Sequence, residues 1–481
     1  MTTEDPPTQA PEDPFATGSF NPHVSDALAA FMQQGWGPLP QPTPPDGPGG
    51  ARTQARRAQL ARAIGDRALV VAAGLPRPRN GDQLHTYRAD SDYVWLTGDQ
   101  QSGGVLVMVP GEAAQLYLLP QSSRENGEFW RDGRNGELWV GRRPTLEAKS
   151  AELGIECRPL AELPARLAQL AGAGVSHVPG LDGSVDAVLG AEPALGDREL
   201  RAVVSELRLV KDDWEIDQLR AACAATSLGY DDIARLLGSG RSLTERDVEV
   251  AFESRARLTG NGPGYHTIAA AGAHAATLHW GQNDAPLVPG QLLLVDAGVE
   301  TNSLYTSDFT RTMPVSGKFT PLQREVYDIV QASQQAAFAK IKPGEKFRAY
   351  YPEVARVLAE GLVELGVLPV SAAESVRADS ELHRRWTLCS PGHMVGLDVH
   401  DNGAARRATY MDGVLVPGEV LTVEPGLYFQ SNDETIPAEL RGIGVRIEDN
   451  VLVTEDGYEM LSAGTPRTSA DVEDWLAAHR A

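Results

Sequence analysis

The chain has 481 residues, 42% of them hydrophobic and 22% charged, with 43 basic against 65 acidic side chains and a net charge of −22. That length exceeds one ordinary core and points to two domains. The acidic excess repels phosphate backbones and argues against nucleic acid as a partner. No apolar run approaches the roughly 18 residues that would suggest a membrane helix. Cys157, Cys223 and Cys389 are far apart with no CxxC pair, and the opening Met-Thr-Thr-Glu-Asp-Pro-Pro lacks the basic and apolar regions of a signal peptide. Both features set the cytoplasm as the expected location.

Residues 1–54 include a Pro/Gly-rich stretch at 38–50 and read as an arm without a core of its own, carrying one short helix at 24–34. Residues 55–205 form a mixed α/β domain. A helix is expected at Arg56–Ile64, strands at Ala68–Ala73, Tyr93–Thr97, Val105–Pro110 and Ala114–Leu119, and an amphipathic helix at Ala161–Ala171. Residues 206–481 form the second domain. A long helix covers Asp213–Leu237, and Ser242-Leu-Thr-Glu245 reads as a capping box opening another through about Leu258. After strands to Val315, Thr320-Pro-Leu-Gln323 opens a helix to about Ile341. A further helix spans roughly 350–365, and strands return from Trp386 to Thr454. Two helices followed by strands therefore occur twice.

One segment makes the duplication explicit. Residues 287–299 (LVPGQLLLVDAGV) and 415–427 (LVPGEVLTVEPGL) share seven of 13 positions, with Asp296 and Glu424 at the same place. A His precedes each copy, in Leu278-His279 and Val399-His400. Asp308 lies in the next strand, and a hairpin centred on Asn302 would set it opposite Asp296, with Cβ atoms about 5 Å apart. Two facing carboxylates repel and are costly to desolvate, so a cation between them is the simplest remedy. The second copy adds Glu424 and, further on, Glu448, while His393 lies among glycines in Ser390-Pro-Gly-His393. Asp296, Asp308, His393, Glu424 and Glu448 exceed what one ion needs. They suit two divalent cations about 3.5–4 Å apart, and the oxygen-rich set favours Mn²⁺. The chemistry expected of such a pair is hydrolysis by a metal-activated hydroxide.

VDAG…SDFTRT, GHMVGLDVHD, TVEPG and GVRIED together resemble the pita-bread-fold metallopeptidases that include Xaa-Pro aminopeptidase (aminopeptidase P) and prolidase. Asp92-Tyr-Val-Trp-Leu-Thr-Gly98 resembles a segment of their N-terminal, creatinase-like domain. The resemblance implies an α/β (α+β) protein with that N-terminal domain and a C-terminal duplicated pita-bread domain. It implies that Asp308 and Glu448 bridge both ions, that Asp296 binds one, and that His393 and Glu424 complete the other. Glu424 would also shuttle a proton, His279 and His400 would contact substrate or stabilise the tetrahedral intermediate, and Arg446 would organise the site. The implied substrate is a peptide with proline second, and the implied assembly is a homo-oligomer, dimer or tetramer. A prolidase confined to Xaa-Pro dipeptides, a metal-free creatinase-like hydrolase and a peptide binder with weak or no catalysis are the alternatives. Cys389 stands where the family often has His.

Overall fold

The computed structural model describes residues 25–480 apart from 39, 43–46, 82, 173 and 193. These fall into two compact units, a small one from the residues before 44 with Pro120–Lys149, and a large one from the rest. In the small unit the helix Asp26–Met32 is capped by Ser25, and Ala29 packs with Phe129 and Trp130. The expected arm falls partly outside the described residues, and the helix forecast at Arg56–Ile64 begins earlier, at Gly50. Among the described residues no helix is long and apolar enough to cross a membrane.

In the large unit, strands 69–72, 105–108, 115–118, 156–159 and 176–177 form one mixed sheet, with 69–72 between 105–108 and 176–177. The run expected as a strand at Tyr93–Thr97 is instead the end of a helix, Ser91–Thr97. Asp90 accepts hydrogen bonds from the backbone of Asp92 and Tyr93 at its start, and Gly98 closes it at φ 75°. Every residue from 91 to 97 is buried, so the apolar run carries no periodicity with which to separate helix from strand.

The duplicated part follows the expected order. Helices Asp213–Gly238 and Glu245–Thr259 precede a sheet of strands 268–271, 292–297 and 309–314. Helices Pro321–Phe338 and Tyr351–Glu364 precede a sheet of strands 420–423, 449–453 and 458–460. The capping box lies two residues later than read: Thr244 caps and Asp247 bonds back to it. Glu245 is drawn inward instead, where its carboxylate accepts from Ala271 N, Trp280 Nε1 and Ala285 N and meets His274 Nδ1. The stretch from Trp386 to Pro417 is loop and turn rather than strand, touching the sheet through a bridge between Met394 and Leu421.

The same tether recurs in both halves. Tyr230, on the first long helix, donates to the carbonyls of Val295 and Phe309. Gln334, on its counterpart, donates to those of Val423 and Ile447. Each side chain grips the backbone beside acids of the cavity. Behind them Arg311, fully buried, donates to Asp449 Oδ1 and to the carbonyls of Thr310, Glu448, Thr465 and Pro466. Arg311→Met takes from the buried Asp449 carboxylate its nearer cation, at 2.7 Å, and leaves it Arg467 at 3.9 Å, which costs about 3–5 kcal/mol. Chemical denaturation should show a correspondingly lower midpoint, and an unchanged midpoint would contradict this account.

Candidate metal centre

Asp296 ends the strand 292–297, but its partner across the hairpin is Thr310, not Asp308. The turn is centred on Ser303, because Leu304 takes a left-handed conformation at φ 70° and Thr301 N bonds Tyr305 O. Moving the centre by one residue shifts each partner by two. Side-chain period is also two, so Asp308 stays on the face of Asp296, displaced diagonally along the strand. Direct opposition occurs in the other half. The register Val423↔Asp449 continues into Gly426↔Arg446, which sets Glu424 opposite Glu448.

His393, in the loop that follows Trp386, is positioned by backbone. His393 N donates to Thr422 Oγ1 at 3.0 Å, and Thr422 N donates to His393 O at 2.7 Å. A Cβ on Gly392 would lie 2.2 Å from Thr422 O, so only glycine allows this approach. The ring's Nδ1 sits 3.0 Å from Met394 O, which turns Nε2 toward the acids: 3.2 Å from Asp308 Oδ2 and 3.4 Å from Glu424 Oε1. Asn450 holds both backbone groups of Asp308, accepting from its N and donating to its O.

Asp296, Asp308, His393, Glu424 and Glu448 line one cavity of about 230 Å³, together with His279, His400 and Arg446. Ligand atoms of Asp308, His393 and Glu448 lie within 4.8 Å of one another. Glu448 Oε2 accepts from Thr310 Oγ1 at 2.7 Å, while its buried Oε1 has no hydrogen-bond partner among the described residues. Arg446 Nη2 donates to Asp296 Oδ2 at 2.5 Å, and its Nε and Nη1 donate to Thr310 Oγ1 and Tyr428 OH. Tyr265 OH donates to Asp296 Oδ1 at 2.7 Å. His279 and His400 are exposed on the cavity wall, with the His400 ring 4.5 Å from that of His393.

Burial governs the protons. It lifts Glu424 to about 7, against the pull of His393 and with the push of Asp308. Burial, reinforced by Asp308 and Glu424, lifts Glu448 well above the carboxylate range. Burial also raises Asp296, opposed by Arg446. On Asp308 burial works upward too, but the hydrogen bond and charge of His393 prevail and hold it low. Burial works downward on His393, yet Asp308 and Glu424 carry it to about 9. His400 is held below its ordinary value by burial and by His393.

Five donors, four of them carboxylates, and an unpartnered buried oxygen fit divalent cations. Glu245, His274 and Asp284 form a second close trio, but Glu245 already has N–H partners on both oxygens and needs no ion. Cys389 also lines the cavity, its Sγ 3.8 Å from Tyr428 OH, and burial raises its thiol pKa and keeps the sulfur protonated. Tyr265, Thr310, Tyr428 and Asn450 were not singled out in the sequence. Thr310 and Asn450 had a signal, each two residues from a candidate acid, Asp308 and Glu448, and Tyr428 follows Glu424 by four, whereas Tyr265 reaches the site from a separate segment.

Residues 217–455 match the model of metallopeptidase family M24, and residues 53–178 match the aminopeptidase P N-terminal domain. Xaa-Pro aminopeptidase 1 of Streptomyces coelicolor is 48% identical, over 95% of this chain and 93% of its own length. The Xaa-Pro aminopeptidase of Escherichia coli is 33% identical, over 89% and 98%. The structure of E. coli aminopeptidase P with the inhibitor Pro-Leu superimposes with a TM-score of 0.78 at 31% identity, over 90% of this chain and 100% of that one. With near full-length relatives at this identity and matches to both the catalytic and the N-terminal domain models, the chain belongs to the Xaa-Pro aminopeptidase (aminopeptidase P) family of the M24 metallopeptidases.

Proposed function

We propose that this chain is a metal-dependent aminopeptidase that releases an N-terminal residue preceding proline, with two Mn²⁺ ions in the cavity. The observation that carries the reading is the convergence of three buried carboxylates, a half-buried fourth and one imidazole on a single cavity. The names of the relatives and the Pro-Leu inhibitor of the E. coli structure support the substrate class. Asp308 and Glu448 would bridge the two ions, Asp296 would hold one, and His393 and Glu424 the other. When bound, such a pair polarises a scissile carbonyl and makes water a nucleophile near neutral pH.

The chain's own groups do the rest. Glu424 would take, at its carboxylate, the proton that the attacking water loses and pass it to the departing proline nitrogen. His400, kept neutral by its surroundings, donates from its ring N–H to the substrate carbonyl oxygen, with His279 on the same wall. Arg446 and Tyr265 fix the two oxygens of Asp296. The reading includes an N-terminal domain at 55–205 and a catalytic domain at 206–481, supported by the family matches at 53–178 and 217–455. It also includes a homo-oligomer, dimer or tetramer, acting in the cytoplasm.

A panel of Xaa-Pro dipeptides and longer peptides, with and without Mn²⁺, tests the activity. Longer peptides with proline second should be cut only when metal is supplied. Cleavage confined to dipeptides, or surviving complete metal removal, would overturn the reading. Asp308→Ala and Glu448→Ala should each abolish turnover and lower the bound metal found by elemental analysis. Near-normal activity in both would refute the ligand assignment.

Cation loading must also expel protons. Without cations the His393 imidazole stays protonated up to about pH 9, and Glu424 up to about 7. Metal affinity should therefore climb as pH rises through this window and level off above it. Calorimetry at pH 7 in buffers of different ionisation enthalpy should record roughly one proton or more released per chain. Loading without proton release would contradict the charge balance described here.

A further inference from the structure

His400 stands on a loop, 394–402, that closes on itself through bonds from Asp401 N to Met394 O and from Gly396 N to Asp398 O. Residues around the start of the helix Ser91–Thr97 add anchors to it from outside. Arg88 Nε donates to Glu300 Oε2 at 2.6 Å, and its Nη1 donates to Ser91 Oγ at 3.0 Å. Its Nη2 donates to the carbonyls of Leu304, at 3.3 Å, and Leu397. Glu300 and Leu304 belong to the turn joining Asp296 to Asp308, and Leu397 belongs to the His400 loop. One guanidinium thus ties together both irregular segments of the cavity. Leu304 sits in the left-handed region at φ 70°, a conformation that a leucine keeps only when its surroundings enforce it.

The loop is gripped on both sides of His400. Ser91 Oγ donates to Asp398 Oδ1 at 2.6 Å. Arg208, almost fully buried, bridges Asp92 at 2.7 Å, Asp398 at 2.9 Å and Asp401 at 2.5 Å. Lys211 adds contacts to Asp401 and Asn402, and Asn402 is itself left-handed at φ 63°.

We infer that Arg88, Ser91 and Arg208 are positioning residues through which the N-terminal segment sets the orientation of His400 and thereby the rate of turnover. The inference rests on the reading of His400 as a substrate contact. Charge-assisted bonds of this kind are the strong ones, and a displacement of about 1 Å at a reacting centre can cost on the order of 100-fold in rate. Arg208 is a poor probe, since its loss takes the ion-pair partner from the buried Asp92 carboxylate, weakens the hold on Asp398 and Asp401, and threatens folding. Arg88 is about one-third exposed and can be replaced with less harm.

The test is a double-mutant cycle on an Xaa-Pro peptide with metal content recorded for every variant. Arg88→Ala should lower kcat by on the order of 10- to 100-fold, with a smaller change in KM and the wild-type complement of cations. Ser91→Ala should lower it less. In a His400→Ala background, adding Arg88→Ala should cost less than about threefold, because the residue it positions is gone. A full-strength loss in that background, loss of metal from Arg88→Ala, or an unchanged kcat would each overturn the inference. Wild-type turnover by His400→Ala alone would sink the role of His400, and the inference with it. If Arg88→Ala fails to fold, Ser91→Ala carries the same cycle.

Discussion

Four carboxylates in one cavity repel one another, and burial makes each of them costly to ionise. Every other feature of the site answers that constraint. Arg446 lies against Asp296, His393 leans on Asp308 and Glu424, and Glu448 is left with one oxygen unpartnered. Without cations the balance is reached by protons, with Glu424 near neutrality and His393 charged. A protein that wanted only a stable core would not gather these groups, because apolar residues of similar volume would be at least as stable there. The arrangement makes sense as one that cations complete.

Holding mutually repelling groups together requires a rigid frame, and the duplicated fold supplies it twice. Tyr230 and Gln334, from equivalent helices, grip backbone carbonyls beside the acids of their own half. Arg311 and Asp449 add a charged layer directly behind, with Gln334 donating to Asp449 as well. The two halves then diverge where chemistry demands it. One sets Glu424 squarely opposite Glu448, while the other offsets Asp308 from Asp296 and places Thr310 between Asp296 and Glu448.

Much of this was legible in the sequence, for physical reasons. Two apolar runs each broken by a single acid cannot be explained by packing, so the echo of Asp296 in Glu424 pointed to chemistry, and the helix–helix–strand order followed from periodicity. What was not legible depended on backbone conformations that side-chain pattern does not encode. The left-handed Leu304 moved the hairpin centre and undid the expected Asp296–Asp308 opposition. The buried run at 93–97 had no polar face to reveal that it is helical. Tyr265 comes from a segment whose approach only the folded chain creates, and Asn450, two residues from Glu448, turns to the backbone of Asp308 in the other half.

The depth of the charged layers has a consequence for how the molecule meets its surroundings. Charges exposed at the surface are open to screening by dissolved ions, over about 10 Å at 0.1 M salt. The Arg446–Asp296 and Arg311–Asp449 pairs are buried away from those ions. The molecule is therefore electrically two bodies: an outer one whose field fades in brine, and an inner one whose pairings stay largely indifferent to it.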